Sequence, residues 1–102
     1  MKPAQRSAQA QADIEAALAY YQSEAPHMAG NFLDALEKAV AHIRRAPGAG
    51  SPRYAHALDV PSLRFWLPGK FPYALFYLEH ADCLLEIRLV HMSRDIPVSL
   101  QG

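Results

Sequence analysis

SLRFWLPGKFPYALFYLEHADCLLEIRLVH, residues 62–91, contains three segments of strand character separated by a Pro-Gly-Lys turn and a His-Ala-Asp turn. Residues 63–67 alternate between apolar and other side chains, as a strand with one buried face does. Residues 71–79 are a nearly continuous aromatic and aliphatic run, which is typical of a central strand covered on both faces. Residues 85–91 alternate again. The stretch therefore predicts a three-stranded antiparallel meander.

The N-terminal half has helical periodicity instead. Apolar residues recur every three or four positions over residues 8–22, and Ser7 is a suitable N-cap because its hydroxyl can accept a free first-turn amide. A second stripe runs from about His27 to Ala46, with Pro26 suited to its first turn and Pro47-Gly48 ending it. Because the link is so short, we expect the two helices to form an antiparallel hairpin.

The hairpin must bury its apolar stripe against one face of the meander, so the sequence predicts a single α+β domain over residues 1–102. Residues 47–61 are rich in Pro, Gly, Ser and Ala, and we expect a long surface connection with a flexible Gly48-Ala49-Gly50 segment. The tail from Met92 to Leu100 is expected to be irregular or a single helical turn.

Composition excludes several classes of protein. The chain is 51% hydrophobic and 20% charged, and its ten Lys and Arg balance ten Asp and Glu, which argues against a general nucleic-acid binder. Cys83 is the only cysteine, so no intramolecular disulfide can form, and the histidines have no shared ligand spacing that would predict a zinc site. We expect no metal and no cofactor. No secretory signal or membrane-length apolar run is evident, so we expect a cytoplasmic protein.

Several segments together resemble one known family. They are Gly50–Tyr54, Leu63–Trp66, Phe71–Tyr77 and Ile87–Ile96, preceded by Asp13-Ile14, by Tyr20-Tyr21 and by a helix leading into Pro47. In order and spacing, over roughly residues 10–97, they are similar to the RelE/ParE toxin superfamily of type II toxin–antitoxin systems, and most similar to its ParE branch.

The resemblance implies a helical hairpin packed on an antiparallel sheet, which agrees with the prediction made from the residues. It also implies a cognate ParD-like antitoxin that wraps and neutralises the toxin in a hetero-oligomer, and growth arrest when the antitoxin is degraded. ParE toxins are associated with poisoning of DNA gyrase, whereas RelE toxins cleave mRNA on the ribosome. Family members usually begin with a strand; residues 2–6 contain Pro3 and no strong strand former, so we expect a short or weakly paired edge strand.

A RelE-like, metal-independent endoribonuclease would need an acid or base and several cations around one phosphate. Arg64, Arg88 and His91 would be its catalytic candidates, drawn from a basic set that also includes Arg53, Lys70 and Arg94. Strand alternation places His91 on the core side with Ile87 and Leu89, and Arg88 on the opposite face with Glu86. A packed, structural His91 is therefore favoured, unless a bulge or the strand end changes the alternation.

Five residues are the candidates for binding the target or the antitoxin: Arg53, Arg64, Trp66, Arg88 and Arg94. The alternative for Arg64 and Arg88 is a salt bridge with Glu79 or Glu86 on a neighbouring strand. Trp66, which shares a face with Arg64, is either a half-buried packing residue or an interface anchor. Arg94 and Asp95 follow the last strand, and they either form a turn or the start of a helix or belong to the end of the molecule that contacts the target. The neutral charge and the motif match favour a non-enzymatic gyrase poison, with the ribosome-dependent endoribonuclease as the alternative.

Overall fold

The computed structural model describes residues 1–101, and it confirms the α+β prediction. A short strand, β1 (Ala4–Arg6), precedes the helices α1 (Ala8–Glu24) and α2 (Pro26–Arg45). A 3-10 turn at Pro47–Ala49 opens the connection to the strands β2 (Arg64–Trp66), β3 (Tyr73–Glu79) and β4 (Leu84–His91), and the short helix α3 (Ile96–Gln101) ends the chain.

The helix hairpin forms where the sequence predicts it. The Ser7 hydroxyl accepts a hydrogen bond from the Ala10 amide at 3.0 Å, which confirms the N-cap of α1. A single residue, Ala25, separates the helices, and Pro26 occupies the first turn of α2. Arg44 and Arg45 in the last turn of α2 lie where the helix dipole favours positive charge.

The sheet has the strand order β1-β4-β3-β2, so the three predicted strands form an antiparallel meander with β3 in its interior. The expected N-terminal edge strand is present and short: β1 pairs in parallel with Leu84–Glu86 at the start of β4. Pro3 is compatible with this position because its carbonyl accepts a hydrogen bond from the Leu84 amide at 2.9 Å, and the backbone N–H that proline lacks is not required there.

Apolar clusters lie on both faces of the sheet, which explains the unbroken apolar run in β3. On the helix face, Phe32, Leu36 and Ile43 of α2 pack with Leu75 and Tyr77 of β3. The opposite face is covered by the connection before β2 and by α3; its buried residues are Ala55, Leu63, Phe65, Ala74, Phe76, Val90 and Ile96. Residues on both sides of β3 are therefore removed from water, as the composition of the strand predicts.

The predicted alternation along β4 is wrong at one point. Phe76 pairs with Arg88 and Tyr77 with Glu86, so Ile87 is an extra, bulged residue. As a result Leu89 packs with the helix-side cluster and Ile87 against the opposite one, although the alternation predicts a shared face. Glu86 is buried, with 2% of its surface exposed, and does not share a face with Arg88.

The connection that follows α2 is anchored, so the prediction of a flexible Gly48-Ala49-Gly50 segment is wrong at Gly50. The hydroxyl of Tyr77 accepts the Gly50 amide at 3.0 Å and donates to the Pro47 carbonyl at 2.7 Å. A bridge between Ser51 and Phe65 then adds the connection to the edge of β2. A Cβ at position 50 would clash with the Tyr77 hydroxyl, so glycine is required by this close approach.

Candidate functional site

A cleft of about 600 Å³ lies between α1 and the C-terminal half of β4. It exists because β1 pairs only with Leu84–Glu86, which leaves the rest of that edge of β4 without a neighbouring strand. The side of α1 crosses this open edge. The lining residues are Asp13, Ala16, Ala17, Tyr20, Tyr21, Pro72, Tyr73, Arg88, Leu89, Val90, His91, Ser93 and Arg94. Three of the sequence-predicted residues, Arg88, His91 and Arg94, are thus brought together.

Arg88 forms an internal ion pair across this edge. Its Nε lies 2.8 Å from Asp13 Oδ2 and its Nη2 lies 3.3 Å from Oδ1, while Nη1 donates to the Ser99 carbonyl at 2.9 Å. Asp13 Oδ2 also accepts the Leu89 amide at 2.9 Å. Less than a fifth of either side chain of the pair is exposed. Arg88 therefore ties α1, β4 and α3 together, and its charge is neutralised inside the protein.

The alternative of a salt bridge with Glu79 or Glu86 is wrong for Arg88, because those carboxylates have other partners. Glu79 pairs with Lys2 at 2.8 Å, and Glu86 pairs with Arg6 of β1 at 2.9 Å. Burial raises the pKa of Glu86 above its ordinary value of 4.5, and the charge and hydrogen bond of Arg6 oppose that rise. The buried carboxylate thus joins β1 to β4.

His91 lines the cleft with its tautomer fixed. The Ser93 amide donates to His91 Nδ1 at 3.0 Å, and the Ser93 hydroxyl lies 2.7 Å from the same atom. With Nδ1 accepting, the neutral imidazole carries its proton on Nε2. The ring meets Tyr73 edge-on at a centroid distance of 5.1 Å. His91 and Arg88 lie on opposite faces of β4, as the alternation predicts, and both line the cleft because it lies at the open edge of that strand.

Three tyrosines form the aromatic wall of the cleft. Tyr21 packs against the helix-side core while Tyr20 is 58% exposed, so the adjacent pair divides between core and surface. Burial raises the pKa of Tyr21, and the phenols of Tyr73 and Tyr20 raise it further; burial and Tyr20 likewise raise the pKa of Tyr73. The ring centroids of Tyr20 and Tyr21 are 5.5 Å apart, and those of Tyr21 and Tyr73 are 6.4 Å apart.

Arg94 lies at the rim of this wall and is exposed. Its backbone amide donates to the His91 carbonyl at 3.0 Å, which places the residue in the turn after β4. Its positive charge lowers the pKa of Tyr73 against the larger effect of burial, and both residues line the cleft. Within residues 1–101 the Arg94 side chain forms no hydrogen bond or ion pair.

Arg64 and Trp66 are on the other edge of the sheet, in β2. Their side chains share a face as predicted, but Arg64 donates to the Gly50 carbonyl at 2.8 Å and thereby holds the connection rather than forming a salt bridge. Trp66 stacks on His42 of α2 at a centroid distance of 4.4 Å. β3 separates both residues from β4, by about 10 Å at ordinary strand spacing.

Arg53 is isolated from both groups. It is exposed in the connection before β2, with its guanidinium 5.2 Å from the centre of the Tyr54 ring. The remaining candidate, Lys70, is exposed in the turn after Gly69. Cys83 is buried and free. No group of three or more His, Cys, Asp or Glu side chains among residues 1–101 could hold a metal ion.

Sequence reasoning did not identify Asp13 as a site residue, nor the role of Glu86. Asp13 is separated from Arg88 by 75 positions, and Glu86 from Arg6 by 80. A local signal for Asp13 is its place in the second turn of α1, directly before the buried Ile14. Such a position faces the sheet edge in a two-layer fold.

Comparison with known proteins agrees with the fold and with the motifs. The model of the ParE toxin of type II toxin–antitoxin systems, parDE, matches residues 5–96. A chain of a solved structure, the chromosomal ParDE toxin–antitoxin system from P. aeruginosa, is similar in fold with a TM-score of 0.73 and 19% sequence identity. The similarity covers 89% of this chain and 96% of that one. No curated protein sequence matches. Because the family model spans nearly the whole chain, the protein belongs to the ParE toxin family of type II toxin–antitoxin systems.

Proposed function

We propose that this ParE-family toxin arrests growth by binding DNA gyrase and trapping its cleaved-DNA complex, without being an enzyme itself. The observation that carries the proposal is the separation of the cationic candidates. Arg64 holds the Gly50 carbonyl in β2, and Arg88 is neutralised by Asp13 at the far edge of β4. An RNA-cleaving site needs several cations and an acid or base around one phosphate, and these residues do not converge in that way.

A cognate ParD-like antitoxin is the second part of the proposal, in a hetero-oligomer located in the cytoplasm. Several large apolar side chains are exposed on this small domain, among them Leu33, Leu67 and Val98 at 42%, 42% and 64%. An antitoxin tail that binds as a helix or an added strand would cover such groups. Within residues 1–101 no helix has the length and apolar character needed to cross a membrane.

RelE-like mRNA cleavage on the ribosome is the second candidate, and one observation favours it. The cleft places His91, with Nε2 as its free ring nitrogen, in the same cavity as Arg88 and Arg94. If this group were catalytic, His91 would act as the acid or base and Arg94 would supply positive charge. Because Arg88 is paired internally, Arg94 is the one guanidinium of the cleft without a partner in residues 1–101, and the reaction needs more cations than that.

Two assays run side by side with the purified toxin test the proposal. One measures gyrase supercoiling and the accumulation of cleaved DNA, and the other measures mRNA cleavage coupled to translation. We expect cleaved DNA to accumulate and mRNA to remain intact. Cut mRNA with unaffected gyrase would overturn the proposal and favour the ribosome-dependent nuclease. No effect in either assay, from toxin shown to be folded by circular dichroism, would mean that the target is neither of these.

A further inference from the structure

The carboxylate and the accepting ring nitrogen that line the cleft between α1 and β4 already have partners. Both oxygens of Asp13 are occupied by Arg88, and one of them also accepts the Leu89 amide. The accepting nitrogen of His91 is occupied by Ser93. The cleft thus contains acceptors, but internal donors already satisfy them.

The remaining groups can all donate. They are the guanidinium of Arg94, the Nε2–H of His91 and the hydroxyls of Tyr20, Tyr21 and Tyr73, which line one cavity and form no side-chain hydrogen bond to other groups of residues 1–101. The Tyr21 ring packs against the rings of both Tyr20 and Tyr73, so the three phenols form one aromatic cluster that a single ligand can contact. Phenol hydroxyls can also accept, but the positive charge of Arg94 with donors around it makes the cavity favour an anion.

We propose that this cleft is a binding site for a carboxylate side chain on an acidic segment of a protein partner. Arg94 would pair with the carboxylate, the phenols of Tyr20 and Tyr73 would donate to it, and the aromatic wall would cover the neighbouring apolar residues of the segment. The inference rests on the proposed function in taking the partner to be a protein rather than RNA.

A carboxylate suits the cleft better than a nucleic-acid backbone does. A phosphodiester chain presents a row of charges and is bound by many cations, whereas Arg94 is the one cation of the cleft that is not paired internally within residues 1–101. The chain as a whole has no positive excess, with ten basic and ten acidic residues. One guanidinium with tyrosines around it is the composition of a protein-binding hot spot.

The test is an NMR titration of the purified toxin with defined probes. The first probe is the blocked peptide acetyl-Ala-Leu-Glu-Leu-Ala-amide, the second is the same peptide with Gln in place of Glu, and the third is the dinucleotide UpU. We expect the glutamate peptide to give saturable shift changes at the rings of His91 and Tyr73, with affinity in the millimolar range. The glutamine peptide and UpU should give weaker or no saturable changes.

Two variants distinguish binding in the cleft from a nonspecific effect of the protein's charge. Arg94→Gln should lower the affinity for the glutamate peptide by about tenfold, which is the loss expected for one charge-assisted pair. The matched control is Arg45→Gln, which removes an exposed arginine at the end of α2, outside the residues that line the cleft. Its affinity should equal that of the unmodified protein. Because both side chains are exposed, neither variant should disturb folding.

The proposal is overturned if the glutamate and glutamine peptides bind equally, if UpU binds more tightly than the glutamate peptide, or if Arg94→Gln binds as well as Arg45→Gln. These outcomes do not depend on gyrase. If the toxin does not affect gyrase but binds the glutamate peptide selectively, the proposed function is refuted and the carboxylate-binding site stands. If the toxin poisons gyrase but does not bind the glutamate peptide selectively, the proposed function stands and the carboxylate-binding site is refuted.

Discussion

Replacing Asp13 with asparagine should destabilise the protein while keeping the shape of the side chain. The Arg88–Asp13 pair has two N–H to carboxylate contacts, the Leu89 amide donates to the same carboxylate, and less than a fifth of either side chain is exposed. A charge-assisted hydrogen bond contributes about 1.5–3 kcal/mol, so we expect Asp13→Asn to lower the free energy of unfolding by about 2 kcal/mol. That corresponds to a melting temperature lower by roughly 8–16 °C for a domain of this size.

Urea unfolding followed by circular dichroism measures this loss, and Asp34→Asn is its control. Asp34 is an exposed helical aspartate that forms no ion pair within residues 1–101, so its replacement should change the stability by less than about 0.5 kcal/mol. A double-mutant cycle with Arg88→Ala should give a coupling energy of about 1–2 kcal/mol. The reasoning would be refuted if Asp13→Asn matched the control, or if the coupling energy were near zero.

The same pair of variants separates a structural Arg88 from one that binds the target. If Arg88 serves the fold, toxicity in a growth assay should fall in both Asp13→Asn and Arg88→Ala in proportion to the folded fraction of each. If Arg88 contacts the target directly, Asp13→Asn would free the guanidinium and keep its toxicity, while Arg88→Ala would lose it. We expect the first result, because the guanidinium is already bound by Asp13 and by the Ser99 carbonyl.

Three further predictions concern the core and its charges. Tyr77→Phe should cost about 1–3 kcal/mol in urea unfolding, because it leaves the buried Gly50 amide and the Pro47 carbonyl without their partner; a neutral result would contradict this. Gly50→Ala should cost about 1–3 kcal/mol by forcing a methyl group against the Tyr77 hydroxyl, and an unchanged melting temperature would disprove the clash. Glu86→Gln should alter the pH dependence of stability. Burial raises the pKa of Glu86 in the folded state, so the folded protein binds more protons and loses stability as pH rises through and above 4.5. The stability of the unmodified protein relative to Glu86→Gln should therefore decrease with rising pH in urea titrations, and an increase would be contrary to the assignment.

Local patterns were sufficient to predict most of the fold. The Ser7 cap, the Pro26 start of α2 and the aromatic run of β3 each act within a few residues, and all three are found as predicted. The bulge at Ile87 was not predictable in this way, since it depends on how β4 aligns with β3. One extra residue shifts the alternation, so the predicted faces are wrong for Glu86 and Ile87, whereas Arg88, Leu89 and His91 lie on the faces that were predicted for them.

Partners distant in the chain account for what the sequence could not predict at the site. The basic residues could be listed, but whether each is free or occupied depends on carboxylates and carbonyls far from it. Arg88 pairs with Asp13 at a sequence separation of 75 residues, and Arg6 pairs with Glu86 at a separation of 80. Arg44 donates to the Lys2 carbonyl at a separation of 42. The residues next to these arginines in the chain do not identify those partners. The distinction between a structural and a functional arginine therefore requires the fold.

The distribution of positive charge gives the strongest physical argument about the target. Within residues 1–101, Lys2, Arg6 and Arg88 pair with carboxylates, and Arg44 and Arg64 donate to backbone carbonyls, so half of the ten basic residues have partners there. The other five are Lys38, Arg45, Arg53, Lys70 and Arg94, and of these only Arg94 lines the cleft between α1 and β4 in the part of the chain that the structure describes. A protein that held an RNA backbone would need its cations free and gathered on one surface. Here the cations are used to assemble the sheet edges and the connection, and a single free guanidinium remains beside an aromatic wall. That arrangement fits recognition of a protein surface better than cleavage of RNA.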